Sequence, residues 1–131
     1  MSRTWEKDYT EEVAEGTTHI FKDAVIKDEK GNPLALADLG TVRIWLYRQG
    51  VPGTFINNRN GQDIKNTNGG TIAATGGAFT LKLGPADNVL ASQGVAEEWH
   101  EALIEYTYNA GADKGRVIWR FKVVNLAVPT S

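Results

Sequence analysis

A histidine among carboxylates is the feature of this sequence that best fits catalysis or metal binding. His100 lies in Glu97-Glu98-Trp99-His100-Glu101, where an imidazole and a carboxylate can act as a general base or as metal ligands. On a strand only Glu98 shares the face of His100, and on a helix only Glu97 is its neighbour. A single pair is short of the three protein ligands of a catalytic zinc. We therefore interpret His100, and the isolated His19, as surface or hydrogen-bonded structural residues.

Other catalytic arrangements have less support. The serines Ser2, Ser92 and Ser131 lie outside any G-x-S-x-G turn, and the chain has no cysteine. The glycine pairs match neither phosphate-binding glycine motif. A small hydrolase that uses Glu98, Glu101, Glu105 or His100 is therefore the least favoured hypothesis, because nothing in the sequence marks one of these carboxylates as buried. We predict no catalytic residue, no cofactor and no metal site.

Two further features of the sequence could indicate a ligand-binding site. Residues 57–63 (NNRNGQD) are similar to a calcium loop but lack its D-x-[DN]-x-[DN]-G order, so we predict turns there. Aromatic residues offer a platform on which sugars stack, although large rings are also typical of cores and interfaces. These residues are Trp45, Tyr47, Trp99, Tyr106 and Trp119.

The composition excludes several classes of protein. The chain has 131 residues, 14 of them basic and 16 acidic, and a formal net charge of −2. This length fits one domain with its own core, and the chain lacks the basic excess of nucleic-acid binders. No apolar run approaches the ~18 residues that span a bilayer, and the first residues are too polar for a signal peptide. We expect a protein made in the cytosol that binds neither nucleic acid nor membrane.

The first sixteen residues form an acidic N-terminal arm. Two basic and five acidic residues give it a net charge of −3, and Trp5, Tyr9 and Val13 are its few apolar anchors. The sequence predicts an arm at residues 1–16, a domain at 17–126 and a tail at 127–131, with a short strand in the arm around residues 5–9. We expect the arm to dock on a neighbouring subunit or another protein, and its deletion to leave the domain folded.

Alternating apolar and polar residues predict the β-strands that position these side chains. Strands are expected at residues 17–28, 40–49, 54–57, 63–66, 71–74, 78–83, from about 100 to 108, and 115–124, with an Asn60-Gly61 hairpin turn. Residues 95–103 also fit a helical period, and residues 85–91 predict a short helical turn. The pattern is typical of a single antiparallel β-sandwich of about seven to eight strands, with a small barrel as the alternative.

One pattern resembles a known family. Residues 25–36 (VIKDEKGNPLAL), followed by the strand at 39–46, resemble the D-x-x-G-x-P-x-x-L motif of small immunoglobulin-like modules in tailed-phage virion proteins, including the N-terminal module of baseplate upper proteins. Residues 79–87 resemble the strand and P-A-D turn of these modules, and residues 105–108 fit their final hairpin. The similarity spans residues 17–124. Residues 94–100 replace the usual glycine-tyrosine entry, and the arm has no counterpart.

The resemblance implies a non-enzymatic structural protein of the virion, in the capsid, neck, tail or baseplate. It implies other virion proteins and copies of the chain itself as partners. The residues that we predict to bind partners are the aromatic, cationic and acidic positions of the arm and of the strand at 40–49: Trp5, Tyr9, Glu11, Glu12, Arg43, Trp45 and Tyr47. The alternative is a carbohydrate-binding module of the same fold, used in host or glycan attachment.

Overall fold

Eight β-strands make up most of the chain. The computed structural model describes residues 2–90 and 96–125. The strands are β1 Ser2–Ala14, β2 His19–Val25, β3 Leu39–Arg48, β4 Phe55–Asp63, β5 Gly70–Ile72, β6 Ala78–Leu83, β7 Glu97–Tyr108 and β8 Asp113–Val124. A 3-10 turn spans Leu36–Asp38. No helix within these described residues is long and apolar enough to cross a membrane.

The strands form two sheets that face each other across one core. The larger sheet has the order β1-β8-β7-β3-β4, and the smaller has the order β2-β6-β5. Rings from the two sheets meet in the middle: the ring centroid of Trp119 lies 5.4 Å from that of Phe79 and 6.0 Å from that of Phe21. This is the strand order of an immunoglobulin-like sandwich, in which strands B, E and D face G, F and C. The predicted all-β sandwich is confirmed.

The acidic arm is an integral strand of this sandwich. Five of the six strand pairings are antiparallel, but β1 runs parallel to β8 along most of its length. Tyr9 and Val13 point into the core, where they are 7% and 2% exposed. The arm therefore docks on its own domain, with a far longer strand than the one expected around residues 5–9. Because its side chains fill the core, we no longer expect the domain to stay folded without it.

The segment that fitted both a helix and a strand is strand β7. Every second residue of its C-terminal half is buried: Ala102, Ile104, Tyr106 and Tyr108. These side chains lie on one face of the strand, and that face packs against the core. The strand begins at Glu97, earlier than the predicted start near His100. Residues 91–95 lie outside the described part of the chain.

One local prediction was wrong, and another lies partly outside the described residues. Asn60-Gly61 is no hairpin turn, because β4 runs through it; Gly61, with φ +74°, leaves room for the ring of Trp45. In place of the predicted helical turn at residues 85–91 there is a single turn at residues 85–87, closed by the Asp87 N–H donating to the Gly84 carbonyl at 3.0 Å. Ala91 is not described.

The D-x-x-G-x-P segment forms a closed loop between β2 and β3. The Asp28 carboxylate accepts hydrogen bonds from the N–H groups of Asn32 and Lys30, both at 2.9 Å, and these, the Asn32 bond foremost, hold the pKa of Asp28 below its usual range. Gly31 takes φ +86°, which favours glycine. The hydroxyl of Tyr106 donates to the Lys27 carbonyl at 2.6 Å, so β7 anchors the loop.

Candidate functional site

The outer face of the larger sheet carries an apolar row between two charged rows. Strand register places Trp45, Leu103 and Ile118 side by side on β3, β7 and β8. One neighbouring row contains Arg43, Glu105, Arg116 and Thr4, and the other contains Tyr47, Glu101, Arg120 and Asp8. Because side chains alternate across a strand, all of these residues project away from the core.

A groove of about 340 Å³ opens over the apolar row. We define the aromatic groove as this groove; its lining residues are Thr4, Trp45, Tyr47, Pro52, Phe55, Leu103, Glu105, Arg116 and Ile118. The ring of Trp45 packs on Gly61, where an added Cβ atom would lie 3.3 Å from the ring. A glycine at this position therefore lets the tryptophan lie against β4 and fixes its orientation.

Ion pairs within the chain neutralise the charged rows. Arg120 contacts Glu101 at 2.7 Å, Glu6 at 2.9 Å and Asp8 at 3.5 Å, and the hydrogen bonds that it donates to Glu6 and Glu101 raise the pKa of Arg120. In the other row Glu105 pairs with Arg116 at 3.0 Å and with Lys114 at 3.5 Å. The acidic charge of β1 is therefore balanced by β8, and the face presents apolar surface framed by paired charges.

Arg43 and Tyr47 differ from each other in exposure. Arg43 is exposed and forms no ion pair with any residue of the described ranges, so its guanidinium is available to a partner. Tyr47 is only 8% exposed, and burial, together with the Glu101 carboxylate, raises its pKa. Tyr47 therefore contributes mainly ring surface to the groove.

The arm residues predicted to bind partners do not form a common site. Trp5 is half-buried beneath the cation of Lys27, whose Nζ lies 5.1 Å from the ring centroid. Tyr9 belongs to the core, and Glu11 lies in β1. Glu12 is exposed and contacts Lys122 at 3.4 Å. Among the predicted site residues, Arg43, Trp45 and Tyr47 lie together on β3, and Glu12 is on the same outer face but outside the groove.

His100 is buried in the core side of the larger sheet. Its Nε2 atom lies 2.7 Å from Oε1 of Glu98, and the other carboxylate oxygen of Glu98 lies 3.9 Å from Nη1 of Arg48. Glu98 is on the same face as predicted, whereas Glu101 and Glu105 project from the opposite face and pair with arginines. No cluster of three or more metal-binding side chains occurs among the residues that the structure describes. The geometry supports the hydrogen-bonded structural interpretation of His100.

Burial of His100 predicts a pH-dependent stability. Burial lowers its pKa below the usual 6.5, although the Glu98 hydrogen bond opposes this, so the unfolded chain binds a proton more readily than the folded one. Stability from this group is complete above pH 6.5 and is lost as the pH falls through the lowered pKa. We expect urea unfolding to show a falling free energy of unfolding between pH 7 and pH 5. A His100→Gln variant should lose this pH dependence, and an identical slope in both proteins would refute the assignment.

Most of the residues that line the groove were not among the predicted site residues, and three of these are large apolar side chains on strands. Phe55, Leu103 and Ile118 line the aromatic groove, but each lies on a different strand. Leu103 and Ile118 lie at outward positions of β7 and β8, between neighbours that face the core. An apolar residue at such an outward position is the sequence signal that could have identified them. No protein-family model and no curated protein matches the chain, so its function has to be inferred from the geometry of this face.

Proposed function

We propose that this chain is a non-enzymatic structural protein of a tailed bacteriophage particle. It acts through protein-protein contacts in a symmetric assembly, as a component of the capsid, neck, tail or baseplate. The observation that carries the proposal is the aromatic groove, which the immunoglobulin-like sandwich presents on an otherwise charge-balanced face. The motif at residues 25–36 supplies the link to phage virion modules.

The chemistry of the groove suits a protein partner. Protein interfaces are enriched in aromatic residues and arginine at their centre and depleted in unpaired charge. The groove offers the ring of Trp45 and the apolar side chains of Leu103 and Ile118, and Arg43 lies outside its lining, at the end of the next row. The neighbouring carboxylates are already paired with Arg116 and Arg120, so a partner need not neutralise them.

Removal of Trp45 should weaken assembly. A central interface tryptophan costs about 2 kcal/mol or more when it is truncated, roughly thirtyfold in affinity. We expect Trp45→Ala to reduce the copies of the chain per purified particle, measured by quantitative mass spectrometry after complementation of particles that lack the chain. Circular dichroism should show that the variant is still folded.

The chain contains its own control. Trp99 is 40% exposed on the same face but lies outside the groove, beside Lys122. Trp99→Ala should be incorporated normally. Leu103→Lys, which keeps the tryptophan but places a charge in the groove, should behave like Trp45→Ala. Equal incorporation of all three variants would contradict a docking role for the groove.

A carbohydrate-binding module is the second candidate. The observation that favours it is the open ring of Trp45 in a groove rimmed by Glu105 and Arg116, since sugars stack on aromatic rings and hydrogen-bond to charged groups. A glycan array separates the two functions. A pure assembly protein shows no saccharide preference, whereas a preference that Trp45→Ala abolishes would identify a sugar-binding site.

A further inference from the structure

Strand β2 has an open edge. It lies at the end of the order β2-β6-β5, so one side of its backbone pairs with β6. No strand in the described ranges pairs with the other side, because the pairing of β1 is with β8 of the larger sheet. An open edge presents backbone N–H and C=O groups to any extended chain.

The surface of this edge is apolar at two points. Ile20 is 46% exposed and Val25 is 38% exposed, two of only four large apolar side chains with such exposure in the described residues. A bulge between Phe21 and Ala24 shifts the register, so Ile20 and Val25 project from the same outer face although they are five residues apart. The bulge also explains why Ile20 is exposed while Ile26 is buried, although six residues of uninterrupted alternation would place them on one face.

The sequence of β2 is complementary to itself in one antiparallel register. A two-fold axis between residues 22 and 23 places Ile20 opposite Val25 of a second copy, on the same face of both strands. The same register places Phe21 opposite Ala24, both on the inner side, and Lys22 opposite Asp23, which is opposite in formal charge. Apolar and opposite-charge pairs directly across from each other stabilise an antiparallel pair.

A pocket at the same edge would be covered by this pairing. It measures about 210 Å³, opens between β1 and β2, and is lined by Trp5, Ala24, Val25 and Ile26 among others. In the two-fold register, residues 19–21 of the second copy run opposite residues 24–26 and therefore past the mouth of the pocket.

We propose that two copies of the chain pair through β2 and join their smaller sheets into one six-stranded sheet. A two-fold interface uses the same patch on both subunits, which is what the self-complementary register provides. The interface lies on the smaller sheet and uses none of the residues of the aromatic groove, so it does not depend on the proposed function.

Disulfide cross-linking tests the register directly, because the chain contains no cysteine. In Ile20→Cys/Val25→Cys each cysteine lies opposite its counterpart in the second copy. Within one chain the two positions are roughly 15 Å apart along the strand, too far for the Cα separation of about 7 Å that a disulfide tolerates. We expect covalent dimers of the double variant on non-reducing gels, and monomers of each single variant. Monomers of the double variant would overturn the register.

A charge exchange tests the same pairing without cross-linking. Lys22→Asp places like charges opposite each other twice across the two-fold axis, so the dimer dissociation constant in light scattering should rise roughly tenfold. Lys22→Asp/Asp23→Lys restores opposite charges and should restore the dimer. A monomer at every concentration of the unaltered chain, or a dimer unaffected by Lys22→Asp, would overturn the proposal.

Discussion

Replacement of Asp87 by alanine is expected to destabilise the protein by about 3–5 kcal/mol, because it leaves a buried arginine without its partner. Asp87 is 2% exposed and Arg59 is 6% exposed. The Asp87 carboxylate accepts hydrogen bonds from Arg59 Nε at 2.6 Å and from Arg59 Nη2 at 3.0 Å. Asn57 and the Gly84 N–H donate to the same carboxylate, so the bonds link β4 of the larger sheet to the turn after β6.

The pair also predicts acid sensitivity. Burial alone would raise the pKa of Asp87, but the hydrogen bonds from Arg59 and Asn57 and the charge of Arg59 hold it below its usual value of 3.8. Its stabilisation is therefore complete above that value and is lost as the pH falls through the lowered pKa.

Urea unfolding at neutral pH measures the loss. The matched control is Glu105→Ala, which breaks the exposed pair with Arg116 and should cost no more than about 1 kcal/mol. If Asp87→Ala were as mild as Glu105→Ala, the Arg59 and Asp87 pair would not be a structural link.

Truncation of Tyr9 to alanine is expected to cost about 3–5 kcal/mol, the usual range for a large aromatic residue in a core. The Tyr9 ring centroid lies 4.7 Å from that of Phe21 and 5.5 Å from that of Trp119, in edge-to-face arrangements. The side chain therefore joins β1 to both sheets. Such a loss is a large share of the 5–15 kcal/mol by which domains are stable.

Two controls separate core packing from the charge of the arm. Tyr9→Phe keeps the ring and should retain most of the stability, and Glu12→Ala should cost about 1 kcal/mol or less, since its pair with Lys122 is exposed. The measurement is the free energy of unfolding in urea. A Tyr9→Ala protein as stable as Glu12→Ala would mean that the arm is an appendage, as its composition first suggested.

Local periodicity predicted most of the strands. In β3, β6 and β8 one face is covered by the core, so apolar and polar residues alternate and the sequence pattern follows the structure. The arm was harder to interpret, because its outer charges are neutralised by Arg120 and Lys122, more than one hundred residues away in the chain. Composition alone cannot show such a partner.

The bulges and the site depend on contacts between distant segments. Asn60-Gly61 has the residues of a hairpin turn, but it forms a bulge within β4, where Gly61 takes φ +74° and packs against the Trp45 ring. The face of β3 with Arg43, Trp45 and Tyr47 was predicted because it alternates within one strand. Its continuation through Leu103 and Ile118 required the register of β7 and β8, which no local pattern contains.

The aromatic groove as a docking surface is tested most directly by hydroxyl-radical footprinting of Trp45. Oxidation of Trp45 and of Trp99 would be measured by mass spectrometry in the free protein and in purified phage particles that contain it. We predict that Trp45 is protected in the particle, while Trp99, which lies outside the groove, is oxidised as in the free protein. Equal oxidation of Trp45 in the free and assembled protein would contradict the proposal.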